Sequence, residues 1–523
     1  MSTAPLEVDV VVVGSGCFGS LAALIAARTG HSVALLERGR HPRFAIGEST
    51  TPLANLLIEE LARRHELPWL GSFSKWGSWR RAHPEVRCGR KRGFTFLAHE
   101  RGRPFAARGD MEDQWLVAAS SRAEIADTHW MRADLDAYLV DRACEAGVTY
   151  LDGFAVERLN CERGRCELHG NHGGSRLTVG GRLLVDATGP RGLMWRELGS
   201  KEVEFRDLPA TSGLYTHVRG ARQIASSSVY PFTNGLPYPV DEAAVHHVLQ
   251  DGWVWSLAFD DGITSVGVAA TPSMARELRL EEGAAAWSRL LERQPTLAEL
   301  FADAEAVQPW THVPRMSFRS AQAAGEGWVM TPAAAGFVDP LLSTGFALSL
   351  LGLLRLGDSL ESNGGDLGGD RLARALTRLG ALTLQEVDRV GRLVAAMYGA
   401  LGDFPLFRKL THLYFAAVHH AETRVRLGRA SADLGFLGGD VPGFADEMEG
   451  CCQAAISLAS RPDPEGRSKL MEQIDRAVAP IDLLGLDRSD RQAWCPVDLD
   501  ETRQRAARIG ATPEEIEALL ARS

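Results

Sequence analysis

The stretch from Val10 to Arg38 constrains the fold more tightly than any other part of the chain. Val10–Val13 is four β-branched residues in a row, the pattern of a strand buried on both faces. It runs into Gly14-Ser15-Gly16-Cys17-Phe18-Gly19, then a helical run from Ser20 to Arg28, then Ser32 to Leu36, closing on Glu37-Arg38. Strand, glycine turn, helix, strand and acid follow the order of a dinucleotide-binding βαβ unit. Gly14 permits the tight turn, Gly16 lets the backbone approach a pyrophosphate, and Gly19 lets helix and strand close together. Glu37 lies 18 residues past Gly19, near where an acid meets a ribose hydroxyl. A purely structural glycine turn is the alternative, but this one sits in its full βαβ setting. Gly14, Gly16, Cys17, Phe18, Gly19, Glu37 and Arg38 are therefore expected to border a cofactor.

A second phrase, Gly336-Phe337-Val338-Asp339-Pro340-Leu341-Leu342-Ser343-Thr344-Gly345, reads as a buried strand, a fixed bend and a polar turn opening an apolar helix. A helix start carries free N–H groups that hold an anion or an electron-rich ring edge. Read alone, Ser343 would simply cap the helix; behind a dinucleotide turn, a flavin is the natural occupant.

Three further segments fit an extended, two-part cofactor. One holds Gly47-Glu48-Ser49 ahead of a helix from Leu53 to Arg64. The second begins at Arg132 and opens a helix to Ala146. The third is the strand from Leu183, ending in Asp186-Ala187-Thr188-Gly189. Strands that end in glycine and aspartate turns at one sheet edge are where α/β folds place ligands.

From Thr211 to Val268 the period changes. Ser226–Val229, Ala244–Leu249, Trp253–Phe259 and Ile263–Ala270 read as strands, with turns at Asn234-Gly235, Asp251-Gly252 and Asp261-Gly262. Asp-Gly between apolar alternations is a strong hairpin signal. Helical patterning returns over Glu281–Ala304. Beyond Phe346 it covers Leu348–Leu356, Arg371–Leu401, Pro405–Arg429 and Ala445–Leu458, with a linker at 460–466 and a capped helix after Thr512-Pro513. The implied division is 1–210 as the first part of a cofactor domain, 211–310 as an antiparallel substrate-side layer, 311–360 as a return to the cofactor domain, and 361–523 as a helical region.

Composition excludes several classes. Net charge is −10, with 45% hydrophobic and 24% charged residues. That balance argues against nucleic acid or an anionic membrane as the main partner. No apolar stretch approaches the ~20 residues of a membrane span, and the N-terminus leads straight into a core strand, so a cytoplasmic protein is expected. The eight cysteines lack zinc spacing and are expected to be reduced thiols, Cys17 a small packed residue. No metal is expected.

The glycine turn, Pro42-Arg43-Phe44-Ala45-Ile46-Gly47-Glu48-Ser49-Thr50 and the 336–345 phrase together resemble the FAD-dependent halogenases, tryptophan-halogenase-like members of the para-hydroxybenzoate-hydroxylase-like flavoproteins. The resemblance runs from Val8 to about Leu356. It implies a glutathione-reductase-type, Rossmann-like α/β fold for FAD, with an antiparallel substrate-side sheet and a helical C-terminal region. Such enzymes use FADH2 and O2 to turn chloride or bromide into hypohalous acid, which travels down a tunnel to a lysine beside the substrate. The halide would rest on the N–H groups of Thr344 and Gly345, and Gly47, Glu48, Ser49, Arg132, Asp186, Gly189, Asp339 and Gly345 would join the FAD site. Trp253, Trp255 and Ser343 would lie on the substrate side.

For the lysine, Lys91 lies five residues before Phe96 and fits the family's spacing. Lys75 competes because it is nearer the Gly47-Glu48-Ser49 phrase. The bland reading of Lys91 is a solvated basic run with Arg90 and Arg92.

Three departures shape the expected function. After Trp253-Val254-Trp255 the family's proline is missing, and that motif is thought to suppress monooxygenation. Met330-Thr331-Pro332 stands where related flavoproteins carry Gly-Asp. Leu342 replaces the acid that tryptophan halogenases place before Ser-Thr. The resemblance therefore implies halogenation of a phenol or other electron-rich or activated carbon, free or carrier-bound, rather than of free tryptophan. With no second dinucleotide motif, a separate reductase would supply FADH2. A flavin monooxygenase or other flavin oxidoreductase, and a non-catalytic flavin-binding protein, are the alternatives.

Overall fold

A computed structural model describes residues 5–105, 112–199, 202–226, 230, 235–488, 491 and 493–520. Its centre is a six-stranded sheet in the order 324–325, 328–330, 183–186, 10–13, 33–36 and 149–151. All neighbours in it are parallel except the edge pair 324–325/328–330. Val10–Val13 and Leu183–Asp186 lie side by side at the middle, buried throughout, as their apolar runs require. The helix Cys17–Arg28 begins in the glycine turn and is almost wholly buried. On the sheet's other side a smaller sheet runs 6–7, 175–181, 165–172 and 155–162.

The second large sheet has nine strands. Its path runs 305–306, 212–219, 263–270, 252–258, 244–249, 93–98, 114–118 and 494–495, with 311–313 also paired to 212–219. The hairpins at Asp251-Gly252 and Asp261-Gly262 are present. Ser226 ends a short 3-10 turn; Val229 and Asn234 lie outside the described residues. This sheet draws on far more chain than 211–310: Gly93–Ala98, Gln114–Ala118 and Trp494–Cys495 come from the two ends of the sequence. The segment 281–304 is two helices, Ala284–Arg293 and Pro295–Leu300, since proline starts a helix more readily than it continues one.

The helix opened by the Ser-Thr-Gly phrase runs Thr344–Glu361. It is clamped to Asp370–Gly399 by a buried pair, with both Arg355 guanidinium ends 2.7 Å from the Glu386 carboxylate. Phe404–Arg426 and Phe444–Ser460 follow. The expected linker is shorter than predicted, because Pro464 opens a further helix to Val478 that the sequence reading missed. No helix among the described residues is long and apolar enough to cross a membrane. No cluster among them could hold a metal. One cysteine expectation fails: Cys161 and Cys166 face each other across a hairpin and are joined as a disulfide.

Candidate functional site

The carboxyl ends of the central strands, the start of helix 344–361 and one face of the nine-stranded sheet enclose a cavity of about 840 Å³. That is the size and place expected for an extended ligand in an α/β fold. Every residue expected on the cofactor, halide or substrate side borders it except Asp186, and neither lysine does.

The glycine turn behaves as its spacing predicts. Gly14 has φ +98°, and a Cβ on Gly19 would strike the Gly14 carbonyl oxygen at 1.8 Å. A Cβ on Gly16 would instead make only ordinary contacts, with Arg132, Asp136 and Arg43 at 3.6–3.9 Å, and one on Gly189 or Gly345 would meet nothing within 4 Å. These are cradles a side chain would fill, so the residues present fit a dinucleotide such as FAD. Burial pushes the Cys17 thiol up to about 12, in line with a packed residue. Burial also works against the Glu37 carboxylate, but the N–H groups of Gly39 and Ser15 and the charge of Arg43 outweigh it and hold Glu37 low.

Beneath the turn lies a group the sequence reading passed over. Asp136, fully buried, accepts from Cys17 N–H (3.1 Å) and from Arg132 Nε (2.8 Å), while Arg132 also donates to the Ile46 and Gly47 carbonyls at 3.0 Å. Arg132 thus ties the Gly-Glu-Ser segment to the glycine turn. The signal for Asp136 was its i,i+4 spacing from Arg132. His217, 2.7 Å from Glu48 and buried with it, gave no local signal at all.

Two acids serve other groups. Asp186 accepts from Thr188 N–H, Thr188 Oγ1 and Met194 N–H at 2.6–2.8 Å, shaping the 187–193 turn from behind. Asp339 accepts from Tyr398 Oη (2.8 Å), Leu341 N–H (3.0 Å) and Trp253 Nε1 (3.2 Å). Burial lifts its carboxyl to about 7 against those donors. The 336–345 phrase is thereby fastened to the tryptophan strand.

At the helix start, Ser343 adopts the left-handed conformation (φ 51°) and gives no side-chain cap, contrary to the capping reading. The N–H groups of Thr344 and Gly345, in the first turn, have no intrahelical partners and border the cavity. Thr331 and Pro332 line the wall where Gly-Asp was missing, so no acid comes from that segment. Leu342 is buried and its carbonyl accepts from Tyr414 Oη at 2.8 Å.

The lysines separate clearly. Lys75 is 32% exposed and 3.9 Å from Glu59. Lys91 is wholly buried, which excludes the alternative of a solvated basic run; Arg90 beside it pairs with Glu242 at 2.7 Å. Lys91 Nζ donates to the Thr50 carbonyl and sits 3.8 Å over the Phe94 ring. Phe94 stacks 5.7 Å from His246, which does line the cavity. Lys91 therefore lies one layer behind the cavity wall, and burial drives its proton affinity well below that of free lysine.

The family model described as FAD dependent oxidoreductase (DAO) matches residues 9–335. Tetracycline 7-halogenase of Kitasatospora aureofaciens is 28% identical over 352 residues, 65% of this chain and 60% of that protein, so less than two thirds of that relative is spanned. Monodechloroaminopyrrolnitrin halogenase PrnC of Pseudomonas fluorescens is 25% identical over 492 residues, 89% of this chain and 84% of that one. The crystal structure of halogenase PltM in complex with phloroglucinol and FAD aligns with TM-score 0.82 and 22% identity, over 93% of this chain and 99% of that one. At that identity the likeness is one of fold.

Proposed function

The chain belongs to the FAD-dependent oxidoreductase family, and from that premise we propose that it is a flavin-dependent halogenase acting on an electron-rich organic substrate. The observation that carries this reading is Lys91. A lysine held wholly buried, with a lowered proton affinity, one layer behind a dinucleotide cavity, suits delivery of an electrophile better than any structural role.

When bound, reduced FAD supplies the electrons that, with O2, convert halide to hypohalous acid. This chain's residues bind and orient. Gly16 and the 17–28 helix start would hold the pyrophosphate, and Arg132, anchored on Asp136, fixes the Gly-Glu-Ser segment beside the glycine turn. Thr344 and Gly345 N–H groups hold the halide at a helix start. Trp253, fixed by Asp339 and Tyr398, closes the wall and excludes water. Hypohalous acid moves past His246 to Lys91, whose ammonium donates a hydrogen bond to its oxygen and so polarises the O–X bond toward the substrate.

The substrate class follows from Leu342. No carboxylate stands before Ser343 to polarise an indole, so an aromatic that carries its own activation, a phenol, fits best. Phloroglucinol in the similar PltM structure supports that choice. A separate reductase supplies the reduced flavin. The test is turnover with FAD, a flavin reductase, bromide and a panel of phenols and free tryptophan, read by mass spectrometry. Brominated phenols in excess over bromotryptophan are expected; hydroxylated products without bromine would overturn the reading in favour of a monooxygenase.

A further inference from the structure

Lys91 and Asp127 face each other across the antiparallel ribbon of Cys88–Lys91 and Asp127–Trp130, so their side chains leave on one face. Both are buried, at 0% and 5% exposure. With one bond to Thr50, the ammonium keeps hydrogens to spare. One Asp127 oxygen accepts from Asn55 Nδ2 at 2.7 Å. The other, Oδ2, is buried without a hydrogen-bond partner among the described residues, which is costly unless water or a proton meets it. Asp127 also borders a second, smaller cavity of about 60 Å³, whose wall includes Asn55, Ser74, Glu59, Lys75 and Arg426, the last a fixed cation that favours the Asp127 carboxylate. Glu59 and Lys75, each about a third exposed, stand at its surface end.

We propose that Asp127 is the proton partner of Lys91, in exchange with solvent through this small cavity; this rests on the reading of Lys91 as the delivering lysine. In the substitution, HO–X and a ring C–H become C–X and water. The C–X bond forms as O–X breaks, and the departing hydroxide takes a proton from the Lys91 ammonium. The ring carbon releases its proton to water, the Asp127 carboxylate picks one up from the cavity, and the carboxyl returns it to the lysine amine. Asp127 acts through Lys91 and is a positioning residue.

The other groups facing the pair do not compete for this role. Burial holds His129, on the same ribbon, and His246, on strand 244–249, neutral with proton affinities near pH 3. On helix 404–426, burial pushes the Tyr414 hydroxyl far up. Burial would lift Glu422 too, but Arg426 and His419 outweigh it and hold that carboxyl at about 2. Burial drives Lys91 down and Asp127 up, toward each other, as a shared proton requires.

The chain has only five lysines, so selective isotope labelling of lysine lets the Lys91 side chain be followed by NMR in the flavin-free protein, with Lys91→Arg as the assignment control. Lys91 should titrate well below free lysine. Because the Asp127 charge favours the ammonium, Asp127→Asn should lower that titration by a further one pH unit or about that. In turnover, the alkaline limb of the kcat profile, where the ammonium is lost, should move to lower pH by the same amount. Flavin oxidation should be unchanged, and Asp127→Glu should restore the parent profile. An unmoved Lys91 titration in Asp127→Asn overturns the proposal. A parent enzyme that forms no halogenated product, with the titration still moved, overturns the halogenase reading instead. If Asp127→Asn does not fold, Asn55→Ala carries the test: losing the amide makes the carboxylate easier to protonate and should move Lys91 the same way by less, and no movement overturns the proposal.

Discussion

The glycine-turn wall and the Lys91 layer lie on two sides of His246 and are built by opposite means. Backbone groups of consecutive residues make the first: Gly14 to Gly19 form one turn, and the positive φ of Gly14 and the close approach of Gly19 to the Gly14 carbonyl are local properties. Groups from three stretches of chain, 50–55, 91–94 and 127, make the second. Lys91, Asp127, Asn55, the Thr50 carbonyl and the Phe94 ring meet only because strands and a helix pack there. The lesson is that cofactor binding and delivery chemistry should be separable by mutation, each failing without the other.

The sharpest way to break that separation is Lys91→Ala. It should lower halogenation kcat by roughly 10³-fold, the scale of a lost positioned acid, while FAD affinity and flavin oxidation stay within about twofold of the parent. Loss of flavin from this variant on gel filtration would mean the two regions are one unit. Gly16→Val tests the other wall. A side chain at this cavity-lining position should weaken FAD binding by about a hundredfold, or ~2.7 kcal/mol, measured by flavin fluorescence, with the fold intact by circular dichroism.

A smaller effect concerns stability in the buried layer. Burial lowers the His129 proton affinity to about 3, and neither ring nitrogen has a hydrogen-bond partner among the described residues. The unfolded chain protonates this ring below about pH 6.5 and the folded chain does not, so stability falls as pH drops from 6.5 toward 3. The slope is at most ~1.4 kcal/mol per pH unit for one such group. His129→Leu should flatten the fall of Tm between pH 6.5 and 4.5; an unchanged slope would show that the ring is not buried neutral. The smallest effect should come from Lys75→Ala. Its exposed, 3.9 Å pairing with Glu59 predicts activity within about twofold of the parent. A dead Lys75→Ala beside an active Lys91→Ala would exchange the roles of the two lysines.

How legible each part was follows from how local it is. The first βαβ unit, the two Asp-Gly hairpins and the closing cap were all readable from short windows. In that cap Thr512 Oγ1 accepts from Glu515 N–H at 3.2 Å and Glu515 returns a bond to Thr512 N–H at 2.8 Å. The helix Pro464–Val478 was missed because its polar composition and opening Pro-Glu-Gly resemble a linker. The Cys161–Cys166 disulfide was missed because a spacing of five shows nothing until the hairpin register sets the two opposite each other.

The sequence by itself determined the dinucleotide turn, the helix start after Ser343 and the family resemblance, since each rests on backbone conformations set by residues adjacent in the chain. Only the tertiary structure decided that Asp186 and Asp339 serve neighbouring protein groups and that Trp494–Cys495 joins the nine-stranded sheet. It alone decided that Lys91 is buried opposite Asp127 while Lys75 meets solvent. Burial and side-chain pairing are set by which distant segments meet, and no short window of sequence encodes that.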